Sequence, residues 1–364
     1  MISTQTAKQN ISQLPAVLPL RGHDCLDGGK TRRTEPLRPT GGLDQYKHFD
    51  VTPVIGREFS DLQITDLLEH PDADALFKDL AATVSRRGVV FLRNQDITPQ
   101  QMKQIGERLS QAGGCPESSG LHVHPLTEES SELGDQISVI SSEKQKIGGG
   151  LTHVHDDKSR FASAGWHSDI TFERVPSDYA MLKIHTLPET GGDTMWASTY
   201  EAYDRLSPAM AQMLEGLTAT HNAAFFHEEA RRLGNPLRAG IRGSPLNYGP
   251  ELESVHPIVR VNPVTGWKGL FVNKAFTKRI NGVTRDESDM ILNYIYSLVT
   301  ENHDLQVRFR WEKNSMAIWD NRSTWHCATY DYDDPRAGDR VCSLGERPYF
   351  DAAGKSRKRE LLGL

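Results

Sequence analysis

Cysteine is scarce in this chain. Only Cys25, Cys115, Cys327 and Cys342 occur among 364 residues, and no pair has CxxC spacing. That fits reduced thiols in a cytoplasmic protein better than a disulfide framework. No apolar run approaches the ~20 residues needed to cross a bilayer, so no membrane association is expected. The N-terminus lacks a basic start followed by an apolar stretch, and no signal peptide is expected. The final Leu362-Gly363-Leu364 is not the peroxisomal signal. There is no basic surplus either: 42 Lys and Arg stand against 48 Asp and Glu, for a net charge of -6. Nucleic acid is therefore not an expected partner. The short basic run 355–359 reads as a solvated end. The chain shows no internal repeat and no glycine-rich nucleotide loop.

What is present centres on Trp166-His167-Ser168-Asp169-Ile170-Thr171-Phe172. On a β-strand, side chains two apart leave the same face. His167 and Asp169 can then aim an imidazole nitrogen and a carboxylate oxygen at one point. Two His and one carboxylate on one face of a metal, with the other positions open, make an oxygen-activating non-haem Fe(II) site. The second His is expected to be His326, at the end of Trp319-Asp320-Asn321-Arg322-Ser323-Thr324-Trp325-His326. The pair itself is a weak signal. His-x-Asp/Glu occurs five times: His48/Asp50, His70/Asp72, His155/Asp157, His167/Asp169 and His227/Glu229. Context separates them. Pro71 interrupts a ladder after His70. His227 sits in a helical-looking stretch, His155 in a polar run, and His48 before the first core strand. Only His167 lies in a β-rich run. A plain structural role for that pair remains the alternative.

Residues 1–45 are polar and aperiodic, and read as a flexible arm. A single domain is expected over 46–364. Residues 66–86 carry a broken helical stripe, and Val89-Val90-Phe91-Leu92 a buried strand. Thr98 and Pro99 predict a helix start, with the helix reaching about Ala112. The stretch 113–165 is rich in Gly, Ser, His and acid, and reads as a lid or a surface loop. Within it Leu121-His122-Val123-His124-Pro125 alternates as a strand would, and 137–140 is a strand. Strands are also expected at 180–184, 194–197, 256–261, 269–272, 306–311, 316–319 and 340–344. Helices are expected at 198–217, with Met213 facing inward, and at 286–299, with Met290, Ile291, Tyr294, Ile295 and Leu298 inward. Many short strands with long insertions favour a mainly β fold with flanking helices. The expected class is a double-stranded β-helix, a jelly-roll or cupin-like barrel.

Arg336 and Arg340 form a second cluster. An even spacing puts both on one face of an extended chain. Arginine grips carboxylates bidentately, so two inward guanidinium groups would suit two anions. Surface pairing with Asp331, Asp333, Asp334 or Asp339 is the alternative.

From about Phe59 to Tyr349 the chain resembles the taurine dioxygenase family of Fe(II)/2-oxoglutarate-dependent dioxygenases, in the form common in fungi. The blocks that carry the resemblance are Leu121-His122-Val123-His124-Pro125, Trp166-His167-Ser168-Asp169, Gly191-Gly192-Asp193-Thr194, Trp319-Asp320-Asn321-Arg322 reaching His326, and Arg336 with Arg340. The resemblance implies that His167, Asp169 and His326 ligate iron. It implies that Thr194 and Arg336 hold the distal carboxylate of 2-oxoglutarate. It places His124 and Arg340 on the substrate's anionic group, with Ile170 lining the substrate side. Two departures stand out. The His326–Arg336 interval is one residue shorter than in bacterial taurine enzymes. Ser163-Ala164-Gly165 replaces polar amide and acid residues near the substrate.

The implied activity consumes 2-oxoglutarate and O2, releases succinate and CO2, and oxidises a C–H bond of a small anionic substrate. A sulfonate is the first expectation. An amino acid or other carboxylate, with hydroxylation, desaturation or ring closure, is the second. A non-catalytic binding module and a zinc hydrolase on the same triad are the other readings. Assembly as a homo-oligomer is left open.

Overall fold

A computed structural model describes residues 35–127, 131, 133–143 and 162–364. Most of the expected arm, Cys25, the His155/Asp157 pair and much of the 113–165 stretch lie outside the described residues. The strands in chain order are β1 (His48–Asp50), β2 (Arg57–Phe59), β3 (Val89–Leu92), β4 (Ser138–Ser141), β5 (Ser177–Thr186), β6 (Thr194–Ser198), β7 (Thr218–Asn222) and β8 (Glu253–Pro257). They continue with β9 (Val259–Val261), β10 (Lys268–Leu270), β11 (Thr277–Ile280), β12 (Gln306–Phe309), β13 (Met316–Asp320), β14 (Thr324–Ala328) and β15 (Ala337–Leu344).

A seven-stranded sheet has the order β1-β2-β3-β13-β5-β15-β4, and a three-stranded sheet the order β12-β6-β14. The two share one core. Val89, Phe91, Ala180, Leu182, Ala317 and Trp319 of the large sheet pack against Trp196, Val307, Phe309 and Trp311. The alternate residues, Val90, Leu92, Met181, Met316 and Ile318, face the other way. They meet the helices Ala73–Arg87 and Pro99–Gly113. A strand covered on both faces must be apolar throughout. That is why Val-Val-Phe-Leu reads as an unbroken run and is buried at all its positions.

The small sheet alternates likewise. Trp325 and Cys327 face an outer core with Ile291, Ile295 and Val299, while His326 faces between the sheets. Cys115, Cys327 and Cys342 are free thiols. The jelly-roll class stands, with helices outside. The hydrogen-bond ladders among the described residues, however, leave separate facing sheets and no closed barrel.

The helix ends follow local chemistry. Thr98 and Gln101 form a capping box with Pro99 in the first turn, and Thr284 and Glu287 form another for the helix Arg285–Thr300. Such a cap contributes about 1 kcal/mol. The stripe at 66–86 is two helices, Asp66–Glu69 and Ala73–Arg87, broken around Pro71. The helix expected at 198–217 also splits, into Thr199–Asp204 and Pro208–Leu214. Ser207 caps the second, and Pro208 cannot continue the first. Met213, Met290 and Tyr294 are exposed, against expectation. On the last helix the buried stripe is Ile291, Leu292, Ile295, Tyr296 and Val299. The apolar residues fit two rotations of that helix, and the structure buries the one carrying Leu292, Tyr296 and Val299.

Candidate metal centre

His326 sits on β14, a strand that was not among those expected from the sequence. His167 does not lie in a strand run. It makes an isolated antiparallel bridge to His326, with N···O distances of 3.0 and 2.7 Å. The chain then turns: the Glu173 amide donates to the Ile170 carbonyl at 3.0 Å. Ile170 has φ 49°, a left-handed conformation that a β-branched residue rarely adopts. The expectation of a β-strand through Phe172 is corrected here, and so is the same-face argument that rested on it.

The turn is held by buried partners. His256 Nε2 lies 2.9 Å from both the Thr171 and the Glu173 carbonyls, so it carries the proton and donates to both. Asn273 Nδ2 donates to Thr171 Oγ1 at 3.0 Å, and Ser254 Oγ to the Phe172 carbonyl at 2.8 Å. Asn321 Oδ1 accepts the Asp169 amide at 3.2 Å and is itself oriented by the Trp319 indole at 3.1 Å. Asp320 and Arg322 of the same motif turn away and pair with each other at 2.8 Å.

The outcome is a convergence of three side chains. One ligand atom from each of His167, Asp169 and His326 lies within 4.8 Å of the others. His167 Nε2 is 3.6 Å from Asp169 Oδ1, and His326 Nε2 is 3.8 Å from Oδ2. Donors about 2.0–2.2 Å from one ion stand up to about 4 Å apart, so these separations fit one ion. No other such group occurs among the described residues. The protonation states fit as well. A carbonyl can only accept, so His167 Nδ1 donates to Gly165 at 2.8 Å and leaves the Nε2 lone pair free. Burial, with His167 and Arg340 nearby, pushes His326 down to about 3, which keeps it neutral. Burial opposes ionisation of Asp169, but Arg340, His326 and His167 together hold it well below the usual carboxylate range. Asp169 Oδ2 is buried with no hydrogen-bond partner among the described residues. A buried anionic oxygen without a donor is costly, and a cation beside the two imidazoles would relieve it.

Arg340 does not meet a surface aspartate. Its Nη1 donates to Asp169 Oδ1 at 2.8 Å, and its Nε is buried without a partner among the described residues. Arg336 is buried too, and takes a different direction. Its Nε donates to the Gly192 carbonyl at 2.8 Å and its Nη2 reaches Thr194 Oγ1 at 3.4 Å. The Trp311 indole donates to the same hydroxyl at 3.0 Å. Asp193 is bridged by Arg308 at 2.7 Å, and Arg336 forms no ion pair with a carboxylate among the described residues. The two arginines thus serve two places, not one face, because a register shift lies between Ala337 and Gly338 at the start of β15.

Gly192 has φ 70°, and an added Cβ would lie 2.9 Å from Arg336 Cδ. Gly192→Ala should therefore displace Arg336 and, on the expectation that Arg336 holds 2-oxoglutarate, raise its apparent KM several-fold, with a left-handed penalty of about 1–2 kcal/mol on stability. Steady-state kinetics and a denaturant midpoint check both.

The expected strand 121–125 is only an isolated bridge at Leu121. His122 is engaged away from the metal ligands. Its Nε2 is 3.3 Å from Glu173 Oε1, and Arg242 Nη2 donates to Glu173 Oε2 at 3.0 Å. His124 stands edge-on to Phe226, with ring centres 5.1 Å apart. Burial and the charge of Arg340 hold it well below its ordinary value, so it is neutral. Ile170 packs with Phe172, Phe276 and Leu344, and the Phe276 ring lies 6.3 Å from the His167 ring. Trp311, Glu173, Arg242 and His256 escaped the sequence reading. Each acts on a partner at least 69 positions away, and no local pattern marks such pairs.

Residues 47–342 match the family described as Taurine catabolism dioxygenase TauD, TfdA family. The alpha-ketoglutarate-dependent dioxygenase btcD of Neocamarosporium betae is 44% identical over 336 residues, covering 89% of this chain and 98% of that protein. An alpha-ketoglutarate-dependent sulfonate dioxygenase of Saccharomyces cerevisiae is 34% identical over 318 residues, covering 85% of this chain and 69% of that protein. A crystal structure of a taurine dioxygenase from Burkholderia xenovorans has a TM-score of 0.65 at 26% identity, covering 85% of this chain and 92% of that one. No helix among the described residues is long and apolar enough to cross a membrane. With the family model matching most of its length and three side chains gathered to hold a metal, this chain belongs to the TauD/TfdA family and is a 2-oxoglutarate-dependent dioxygenase.

Proposed function

We propose that His167, Asp169 and His326 bind Fe(II), and that the enzyme oxidises a C–H bond of a small sulfonate. When bound, Fe(II) with 2-oxoglutarate and O2 supplies the oxidising chemistry, with succinate and CO2 as products. The chain's own residues do the placing. Gly165 fixes the His167 tautomer, and Arg340 orients Asp169 and balances its charge. Arg336 and Thr194 bind the distal carboxylate of 2-oxoglutarate, one by charge and the other by a hydroxyl. Ile170, Phe226 and Phe276 form an apolar wall that excludes water beside His167. His124 and Arg340 receive the substrate's anionic group.

The observation that carries this reading is the state of Arg340. It stays charged beside the metal ligand, with one buried donor still unused. An anion set there brings its neighbouring C–H bonds next to the metal. The sulfonate is favoured because a relative at 34% identity is named for sulfonates. Arginine grips a carboxylate equally well, and the apolar wall suits a bulkier body than that of taurine. An amino acid or another carboxylate is thus the second reading. Incubation with a panel of alkyl and aryl sulfonates should release sulfite together with succinate. Succinate formation with no sulfite from any sulfonate would transfer the assignment to a carboxylate.

A further inference from the structure

We propose that Trp311 is a positioning residue that turns the Thr194 hydroxyl into an obligate donor toward the distal carboxylate of 2-oxoglutarate. This rests on the reading that Thr194 and Arg336 hold that carboxylate.

A threonine hydroxyl has two lone pairs and one proton. The indole N–H of Trp311 can only donate, and it lies 3.0 Å from Thr194 Oγ1. The guanidinium of Arg336 can only donate, and its Nη2 lies 3.4 Å from the same atom. Both lone pairs are therefore engaged. What remains is the O–H, and it has no acceptor among the described residues. Thr194 is buried, so its proton is a donor held without a partner next to a guanidinium without a carboxylate. Two adjacent donors of that kind complement an anionic, oxygen-rich group.

Trp311 is placed firmly enough to do this. It lies two residues beyond Phe309, which pairs with Thr194 in the register of β12 and β6. Its ring stands edge-on to Phe309 at 5.0 Å, and the Arg336 guanidinium carbon is 6.0 Å from its centre. One buried indole thus fixes the hydroxyl's direction and flanks the guanidinium. Without the N–H, the hydroxyl is free to rotate and present a lone pair to an anion, which repels it.

The test is calorimetric and uses the full-length, metal-loaded protein without O2. It compares 2-oxoglutarate with 2-oxopentanoate, which keeps the keto-acid head and lacks the distal carboxylate. Trp311→Phe should weaken 2-oxoglutarate binding about ten-fold and leave 2-oxopentanoate unchanged, the size expected for a lost charge-assisted hydrogen bond. Thr194→Val should weaken 2-oxoglutarate to a similar degree. The double variant should bind no worse than Thr194→Val alone, because Trp311 acts through that hydroxyl. Equal weakening of both keto acids by Trp311→Phe would mark general repacking and overturn the proposal, as would penalties that add in the double variant. If Thr194→Val weakens binding and Trp311→Phe does not, the proposal fails and the reading of the pocket stands. If Thr194→Val has no effect, the reading of the pocket fails first.

Discussion

Asp169→Asn should abolish substrate oxidation and destabilise the protein together. The substitution removes the only anion among the three candidate ligands. It also strips Arg340 of its partner at 2.8 Å, in a pair whose side chains are only 15% and 5% exposed. Breaking a buried ion pair from one side costs about 3–5 kcal/mol, and the partial exposure of Arg340 puts this case toward the lower figure. His167→Ala should abolish oxidation as well, but with a small stability change. Its side chain is 24% exposed, and its Nδ1 donates to the Gly165 carbonyl. Succinate formation, bound iron per chain and the denaturant midpoint separate these effects. Turnover retained in both variants would mean that the wrong pair had been chosen.

Arg336→Ala should raise the apparent 2-oxoglutarate requirement far more than Arg340→Ala does. Losing a buried cation that meets a carboxylate costs about 2–5 kcal/mol, which is roughly thirty-fold or more in affinity. Arg336 lies with Thr194 and Gly192, away from the ligands, so its loss leaves the triad in place. Arg340 touches Asp169, so its loss should appear in the substrate KM and in metal retention. Initial rates over a 2-oxoglutarate titration at fixed substrate make the comparison. Equal shifts in both variants would show that the two anion roles are misassigned.

Local rules carried the strands and caps a long way. Short apolar runs located β3, β5, β6 and β13, because each strand is clamped between two apolar layers, whereas β14 was not among the expected strands. Thr98 and Pro99 marked a helix start correctly, since capping depends only on neighbours. The same rules failed at the candidate site. Trp166 to Phe172 has strand composition, yet it is a bridge followed by a turn through Ile170 at positive φ. That conformation costs energy locally and persists because His256, Asn273 and Ser254 hold its backbone and side chains from elsewhere. A reading that sees only neighbours favours the cheaper local state.

By itself the sequence determined the family and the layered β architecture. Both rest on motif order and hydrophobic period, which are properties of the chain taken locally. Tertiary structure alone decided where the charges went. Arg340 chose Asp169 over the aspartates nearer in sequence, His122 chose Glu173, and Arg308 took Asp193 away from Arg336. Burial strengthens the Arg340–Asp169 pairing far beyond what an exposed pair is worth, and burial exists only once distant segments have packed.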